Sequence, residues 1–105
     1  MTKPSREHIR KLEDLPNIGK ASAADLRLLG ITQAEQLKGR DPYQMYLDLC
    51  IITEARHDPC VIDTFISAVR FMEGAPALPW WDYTAERKAA LIANKTFFDQ
   101  FNESL

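Results

Sequence analysis

The sequence lacks the features that define membrane and secreted proteins. No apolar run approaches the roughly 18 to 20 residues that a membrane-spanning helix needs, and the amino terminus has no apolar stretch resembling a secretory signal. Only two cysteines occur among 105 residues, too few for a disulfide framework. We therefore predict a cytoplasmic protein without membrane contact, whose cysteines remain free thiols.

Sequence motifs of several enzyme classes are also missing. The chain contains no P-loop pattern, no dinucleotide-binding G-x-G-x-x-G and no serine-hydrolase G-x-S-x-G. Its aspartates do not cluster as the metal-binding carboxylates of a nuclease would; those considered are Asp41, Asp58, Asp63 and Asp82. We predict that the protein is not an enzyme, with no catalytic residue and no cofactor.

Among metal-binding patterns, that of a structural zinc site is the one the sequence approaches most closely. Cys50, His57 and Cys60 follow the spacing C-x6-H-x2-C, with His8 as a distant fourth candidate. Structural zinc sites usually contain closely paired ligands, and no such pair occurs here. We therefore predict no metal site, and a Cys–His nucleophilic pair is less favoured still because this spacing fixes no geometry.

The composition is that of one globular domain, with 46% hydrophobic and 27% charged residues. No alternating strand pattern persists, whereas helix signals recur. We predict a compact all-α bundle of five or six short helices. The domain should cover residues 1–95, and residues 96–105 form a tail. The tail carries Phe97, Phe98 and Phe101, and either extends the last helix or is an interaction segment.

Capping residues place the predicted helices. The predicted segments cover residues 5–13, 20–29, 32–39, 42–54, 59–73 and 84–94. The predicted start signals are Ser5, a capping box of Thr32 with Glu35, Asp41 before Pro42, Asp58 before Pro59, and Thr84. Gly30 should end the second segment in the left-handed conformation. The apolar pattern makes 59–73 the central buried helix.

Charge is unevenly distributed along the chain. Residues 1–40 contain eight bases and five acids, whereas the remainder contains five bases and ten acids. A basic first part can meet a phosphate backbone while the acidic remainder does not. The net charge of −2 argues against strong polyanion binding by the whole surface.

The segment LPNIGKASA at residues 15–23 has chemistry suited to a phosphate group. Pro16 prevents helix continuation, while Asn17 and Gly19 tolerate positive φ. The amides after Gly19 then point outward from a partly positive helix N-terminus, and Lys20 adds a charge. The predicted DNA-binding residues are Pro16, Asn17, Gly19, Lys20, Ala21 and Ser22. A purely structural turn, with Ile18 pinning the helices from inside, is the alternative.

This segment resembles the hairpin of the helix-hairpin-helix superfamily, although Asn17 stands where the first glycine is usual. Together with DPC-VIDTFISAVRFMEG and WWDYTAERKAAL, it also resembles the pathogenicity-locus family of small proteins, some of which carry a mitomycin-resistance label. A more distant resemblance is to the carboxy-terminal domain of TfoX. The resemblance implies a helix-hairpin-helix fold and weak DNA binding through backbone phosphates, linked to DNA repair or damage resistance.

The aromatic connector after Gly74 allows two interpretations. Trp80, Trp81 and Tyr83 either cover the core or stack on bases, and covering the core is the commoner arrangement. Residues 86–88 are predicted to be a solvated helix face. If the hairpin is structural, the connector or the tail could instead dock a protein partner.

Overall fold

The structure is a computed structural model that describes residues 8–95. These residues form α1 (Lys20–Leu28), α2 (Pro42–Thr53), α3 (Cys60–Met72) and α4 (Thr84–Ala93). Short 3-10 turns occur at Leu12–Asp14, Ala34–Leu37 and Trp80–Tyr83. No strand and no helix suited to crossing a membrane occurs in this part of the chain. The all-α class is confirmed, but the described residues contain four α-helices rather than five or six.

Helix α3 lies at the centre of the domain, as its apolar pattern predicts. It packs against α2, α4 and the 3-10 turns at Ala34–Leu37 and Trp80–Tyr83. Phe65 of this helix is the largest fully buried side chain among the described residues. Burying one large apolar side chain contributes about 1.5 to 3 kcal/mol, so this helix provides much of the driving force for folding.

The capping signal before α2 is confirmed, and the one before α3 lies one residue further from its helix than predicted, because Pro59 is the N-cap residue. Asp41 accepts a hydrogen bond from the Tyr43 amide at 2.9 Å, and Asp58 accepts one from the Cys60 amide at 2.8 Å. Gly30 takes the predicted left-handed conformation after α1, with a φ of 82°. These signals are correct to within one residue because each depends only on neighbouring residues.

The helix predicted over residues 5–13 is wrong where it can be examined. Residues 8–13 contain no α-helix: only His8 and the first two residues of the Leu12–Asp14 turn are 3-10 helical. The Asp14 carboxylate accepts hydrogen bonds from the amides of Arg10 and Lys11 at 3.0 and 3.2 Å. These bonds hold the chain extended before the turn, where a helix would need a different backbone. Ser5 and the tail 96–105 lie outside the described residues.

The third predicted helix is only a 3-10 turn, Ala34–Leu37. The proposed capping box of Thr32 and Glu35 is also wrong. Gln36 accepts hydrogen bonds from the amides of Thr32 and Gln33 at 2.7 and 2.9 Å instead. The turn therefore begins one residue later than predicted, with Gln33 as its N-cap residue and Gln36 in the position expected for Glu35.

A buried ion pair joins α4 to α3. Asp63 is 0% exposed and Arg87 7% exposed, and Nε of Arg87 lies 2.9 Å from Oδ1 of Asp63. The Thr84 hydroxyl donates to Oδ2 of the same carboxylate at 2.7 Å. Thr84 is therefore a tertiary contact and not the predicted cap. The predicted solvated face at 86–88 is wrong for Arg87, which points inward.

A second ion pair lies above the buried one, near the surface. Arg70 of α3 and Glu86 of α4 form two hydrogen bonds between guanidinium and carboxylate. Both side chains remain more than 40% exposed. The guanidinium carbon of Arg70 also lies 5.5 Å from the ring centre of Tyr83.

The aromatic connector divides into buried and exposed members. Tyr83 is buried and Trp80 is half-buried, but Trp81 is 61% exposed. The interpretation of these aromatic residues as core lids is therefore correct for Tyr83 and wrong for Trp81. The 3-10 turn exposes Trp81 and buries Tyr83. The close spacing of the three aromatic residues in the sequence does not predict this difference.

The buried pair gives a stability prediction. Asp63→Ala leaves the Arg87 guanidinium buried without its partner, and we expect a loss of about 3 to 5 kcal/mol in the free energy of unfolding. Glu86→Ala removes a carboxylate from the exposed pair and should cost no more than about 1 kcal/mol. Urea denaturation of both variants measures the difference. Equal losses would show that the buried pair has no special role.

Candidate nucleic-acid interface

The hairpin begins with a tight turn at residues 15–18. The Ile18 amide donates to the Leu15 carbonyl at 3.3 Å, and Asn17 has a φ of 66°. Proline in the second position and positive φ in the third correspond to a type II turn. Gly19, in contrast, has a φ of −97° in extended backbone. Of the two residues expected to tolerate positive φ, only Asn17 adopts it, so Asn17 alone reverses the chain.

The turn is anchored by apolar side chains. Leu15, Pro16 and Ile18 are all buried. The inward direction predicted for Ile18 is confirmed, with 2% of its surface exposed. Because the Pro16 ring is part of this packing, its side chain serves the fold and cannot present a surface to a ligand.

The Asn17 side chain fixes the hairpin to the rest of the domain. Its amide nitrogen donates to the Ser67 hydroxyl of α3 and to the Leu78 carbonyl, both at 2.8 Å. These two bonds turn the side chain toward the protein. Both hydrogens of the amide nitrogen are used in this way, so it has no donor left for a phosphate oxygen.

The N-terminus of α1 follows the turn and is uncapped by any side chain. Gly19 is the N-cap residue, and its carbonyl accepts from the Ala23 amide at 2.9 Å. No acidic residue occurs in the first turn, whereas Asp41 and Asp58 cap α2 and α3. The first amides of a helix lack intrahelical acceptors and carry partial positive charge. They are the hydrogen-bond donors of this site.

Space around the N-terminus of α1 is open. A Cβ built on Gly19 would meet no atom within 4 Å. Lys20 and Ala21 are exposed, and Ser22 is half-buried. The structure thus brings four candidate residues together at one helix end: Gly19, Lys20, Ala21 and Ser22.

The two acidic residues just before the hairpin, Glu13 and Asp14, form hydrogen bonds within the protein. Glu13 lies 3.0 Å from the Arg27 guanidinium. A backbone hydrogen bond, and next Arg27, lower the pKa of Glu13 below its usual value, so the pair is fully charged at neutral pH. The Asp14 carboxylate accepts hydrogen bonds from two backbone amides, and Lys20 forms no ion pair within residues 8–95.

Two residues important to the hairpin were missed by the sequence analysis. Ser67 and Leu78 lie 50 and 61 positions from Asn17. Ser67 accepts through its hydroxyl oxygen and Leu78 through its backbone carbonyl, and neither group identifies a partner of Asn17 in the sequence. The only available signal was the polar Ser67 within the apolar pattern of α3, which marks a buried group in need of a partner.

The residues considered for zinc have separate surroundings. Cys50 is buried in the core, and Nε2 of His57 lies 2.8 Å from the Thr53 hydroxyl. A hydrogen bond with Asp58, and next burial, raise the pKa of the Cys60 thiol, which reduces its thiolate fraction. No three potential ligands group within residues 8–95. The absence of a metal remains a prediction.

Asn17 gives a matched pair of variants. Asn17→Gly keeps the left-handed backbone but removes both side-chain hydrogen bonds, and we expect a loss of about 1 to 3 kcal/mol. Asn17→Ala should cost about 1 kcal/mol more, because alanine disfavours that backbone. Thermal and urea unfolding measure both. A Gly variant as stable as the wild type would show that the side chain does not anchor the hairpin.

The comparisons with known proteins agree on one family. A family model described as pathogenicity locus matches residues 5–89. A protein of Streptomyces lavendulae named mitomycin resistance protein McrB is 45% identical over 80 residues, covering 76% of each chain. No solved structure matches the chain. On the extent of both matches, the chain belongs to the pathogenicity-locus family.

Proposed function

We propose that the chain is an accessory DNA-binding protein that contacts backbone phosphates through its hairpin without reading sequence. The observation that carries the proposal is the uncapped N-terminus of α1, with an open Gly19 and an exposed Lys20 beside it. Amide donors at a helix N-terminus suit phosphate oxygens. They are indifferent to base identity.

The small side chains support a close approach of the nucleic-acid backbone. Gly19 has no side chain and Ala21 has only a methyl group, so the backbone amides at the N-terminus of α1 remain accessible. Lys20 then supplies a point charge next to the same phosphate. With one lysine and one helix end, the site would engage two or three phosphates and bind weakly.

The relatives suggest the biological setting of the proposal. The protein from Streptomyces lavendulae carries mitomycin resistance in its name. We extend to this chain a role in damage resistance in the cytoplasm, as a binding protein and not as an enzyme.

A protein-interaction module is the second candidate. Pro16 and Asn17 serve the fold, as they would in a purely structural hairpin. Ile51 and Ile52 of α2 are also 55% and 50% exposed. Exposed neighbouring isoleucines favour contact with an apolar partner surface. DNA titrations separate the two candidates.

Lys20 provides the direct test. Lys20→Glu should weaken binding to all DNA sequences alike, because it places negative charge beside the phosphate. We expect the wild-type slope of log K against log salt to be about −2 to −3, and the variant slope to be smaller in magnitude by about 1. Lys88→Glu makes the same change in net charge on α4 and should bind nearly as the wild type. Fluorescence anisotropy with two unrelated duplexes measures these values.

Two results would contradict the proposal. One is wild-type protein that shows no DNA binding at low salt. The other is equal binding by the wild type and Lys20→Glu. Either result leaves the interaction module as the function to pursue.

A substitution at Gly19 tests DNA binding separately from stability. Gly19→Ala adds a methyl group in open space on extended backbone, so stability should change by less than about 1 kcal/mol while DNA binding weakens. Gly30→Ala is the matched control, since its φ of 82° makes alanine cost about 1 to 2 kcal/mol. Its folded form should bind DNA normally. Undiminished binding by Gly19→Ala would argue against close approach at this point.

A further inference from the structure

The connector presents an aromatic ring that the fold does not use. Trp81 is 61% exposed, while Tyr83 anchors the same 3-10 turn in the core. The rings of Trp80 and Trp81 meet edge to face at 84°, with their centres 5.5 Å apart. Trp80 thus supports the Trp81 indole from one side. The large apolar area of Trp81 still lies mostly in solvent.

This ring is tied to the hairpin through the backbone. The Leu78 carbonyl accepts from the Asn17 side chain at 2.8 Å, and Trp81 follows three residues later. Three residues reach at most about 11 Å. A strand stacked as in B-form DNA rises about 3.4 Å per nucleotide, so about three nucleotides span this distance, and an unpaired, extended strand needs fewer. A short strand held at the hairpin is therefore long enough to reach the neighbourhood of Trp81.

We propose that Trp81 stacks on an unpaired base of a strand whose phosphates lie at the hairpin, so that the protein prefers single-stranded DNA to intact duplex. The inference rests on the proposed function of the hairpin, and it specifies single-stranded DNA as the preferred substrate of that function. In a duplex each base is already stacked on its neighbours, so an aromatic side chain gains a base face only where the strand is unpaired.

The charges around Trp81 favour a base over a phosphate. Asp82 is exposed directly after Trp81, and a carboxylate disfavours a phosphate at that position. The uncharged face of a base avoids this repulsion. Phosphate binding at Lys20 and base stacking at Trp81 would therefore occupy different ends of one surface.

A protein partner fits the ring less well. A stable protein interface needs about 800 Å² on each side. The other exposed apolar residues of the connector are small or only moderately exposed: Pro76, Ala77 and Leu78, the last 36% exposed. A single large ring with little apolar surface beside it is better suited to a flat ligand of similar size, such as a base, than to a protein surface.

The test uses the full chain with a single-stranded oligonucleotide and the corresponding duplex. Trp81→Ala should weaken single-strand binding about tenfold and leave duplex binding unchanged. Trp81→Phe keeps an aromatic face and should retain most of the affinity. Ile92→Ala removes another exposed apolar side chain, 78% exposed on α4, and should change neither. Unchanged melting temperatures confirm that these variants remain folded.

A strand with abasic sites in place of bases supplies a second measurement. Trp81→Ala and wild type should bind it equally, because no base is present to stack. Tryptophan fluorescence of the wild type should be quenched by the normal strand, and Trp81→Ala should lose most of this quenching.

The outcomes separate this inference from the hairpin proposal. If wild-type protein binds duplex with the expected salt dependence but Trp81→Ala does not alter single-strand binding, the stacking inference is wrong and the hairpin proposal stands. Equal losses for both DNA forms also overturn stacking. If wild-type protein binds neither form, the hairpin proposal itself fails, and Trp81 then becomes a candidate contact for a protein partner.

Discussion

The fold depends on two buried polar residues on one face of α3. Asp63 and Ser67 are four positions apart, which places them one above the other on a helix. Asp63 receives Arg87 and Thr84 from α4, and Ser67 receives the side chain of Asn17 from the hairpin. Apolar contacts have no preferred direction. The directional hydrogen bonds at both ends of this polar stripe therefore add a constraint on the rotation of α3 about its axis.

This arrangement explains why the hairpin tolerates asparagine in place of the first glycine. Asn17 reaches the left-handed region that the turn requires, and its amide then performs a second task by bonding Ser67 and Leu78. A glycine would permit the turn but contribute no anchor. The candidate ligand site begins only after this anchor, at Gly19, so the residues that hold the hairpin and those that face solvent are separate.

The sequence predicted the features that depend on neighbouring residues. The cap at Asp41 and the left-handed Gly30 are correct, and the signal at Asp58 is correct to within one residue, because each is decided within a few positions. The errors have two causes. Some are local, because Asp14 and Gln36 accept backbone hydrogen bonds at 3-10 turns where the pattern predicts helices. Others depend on distant residues: Arg87 points inward because Asp63 lies on α3. The open N-terminus of α1 was predictable from Gly19 and Lys20, whereas its support by Ser67 and Leu78 was not.

The anchoring of Asn17 also determines whether the hairpin can keep its conformation outside this domain. Its two acceptors come from α3 and from the connector, 50 and 61 positions further along the chain. Closing loops of that length costs entropy that only the assembled core can offset. A peptide containing the hairpin alone would keep the sequence of the turn but lose both acceptors. The hairpin surface is therefore a product of the whole domain, and transplanting it to another scaffold requires a serine and a carbonyl in the same places.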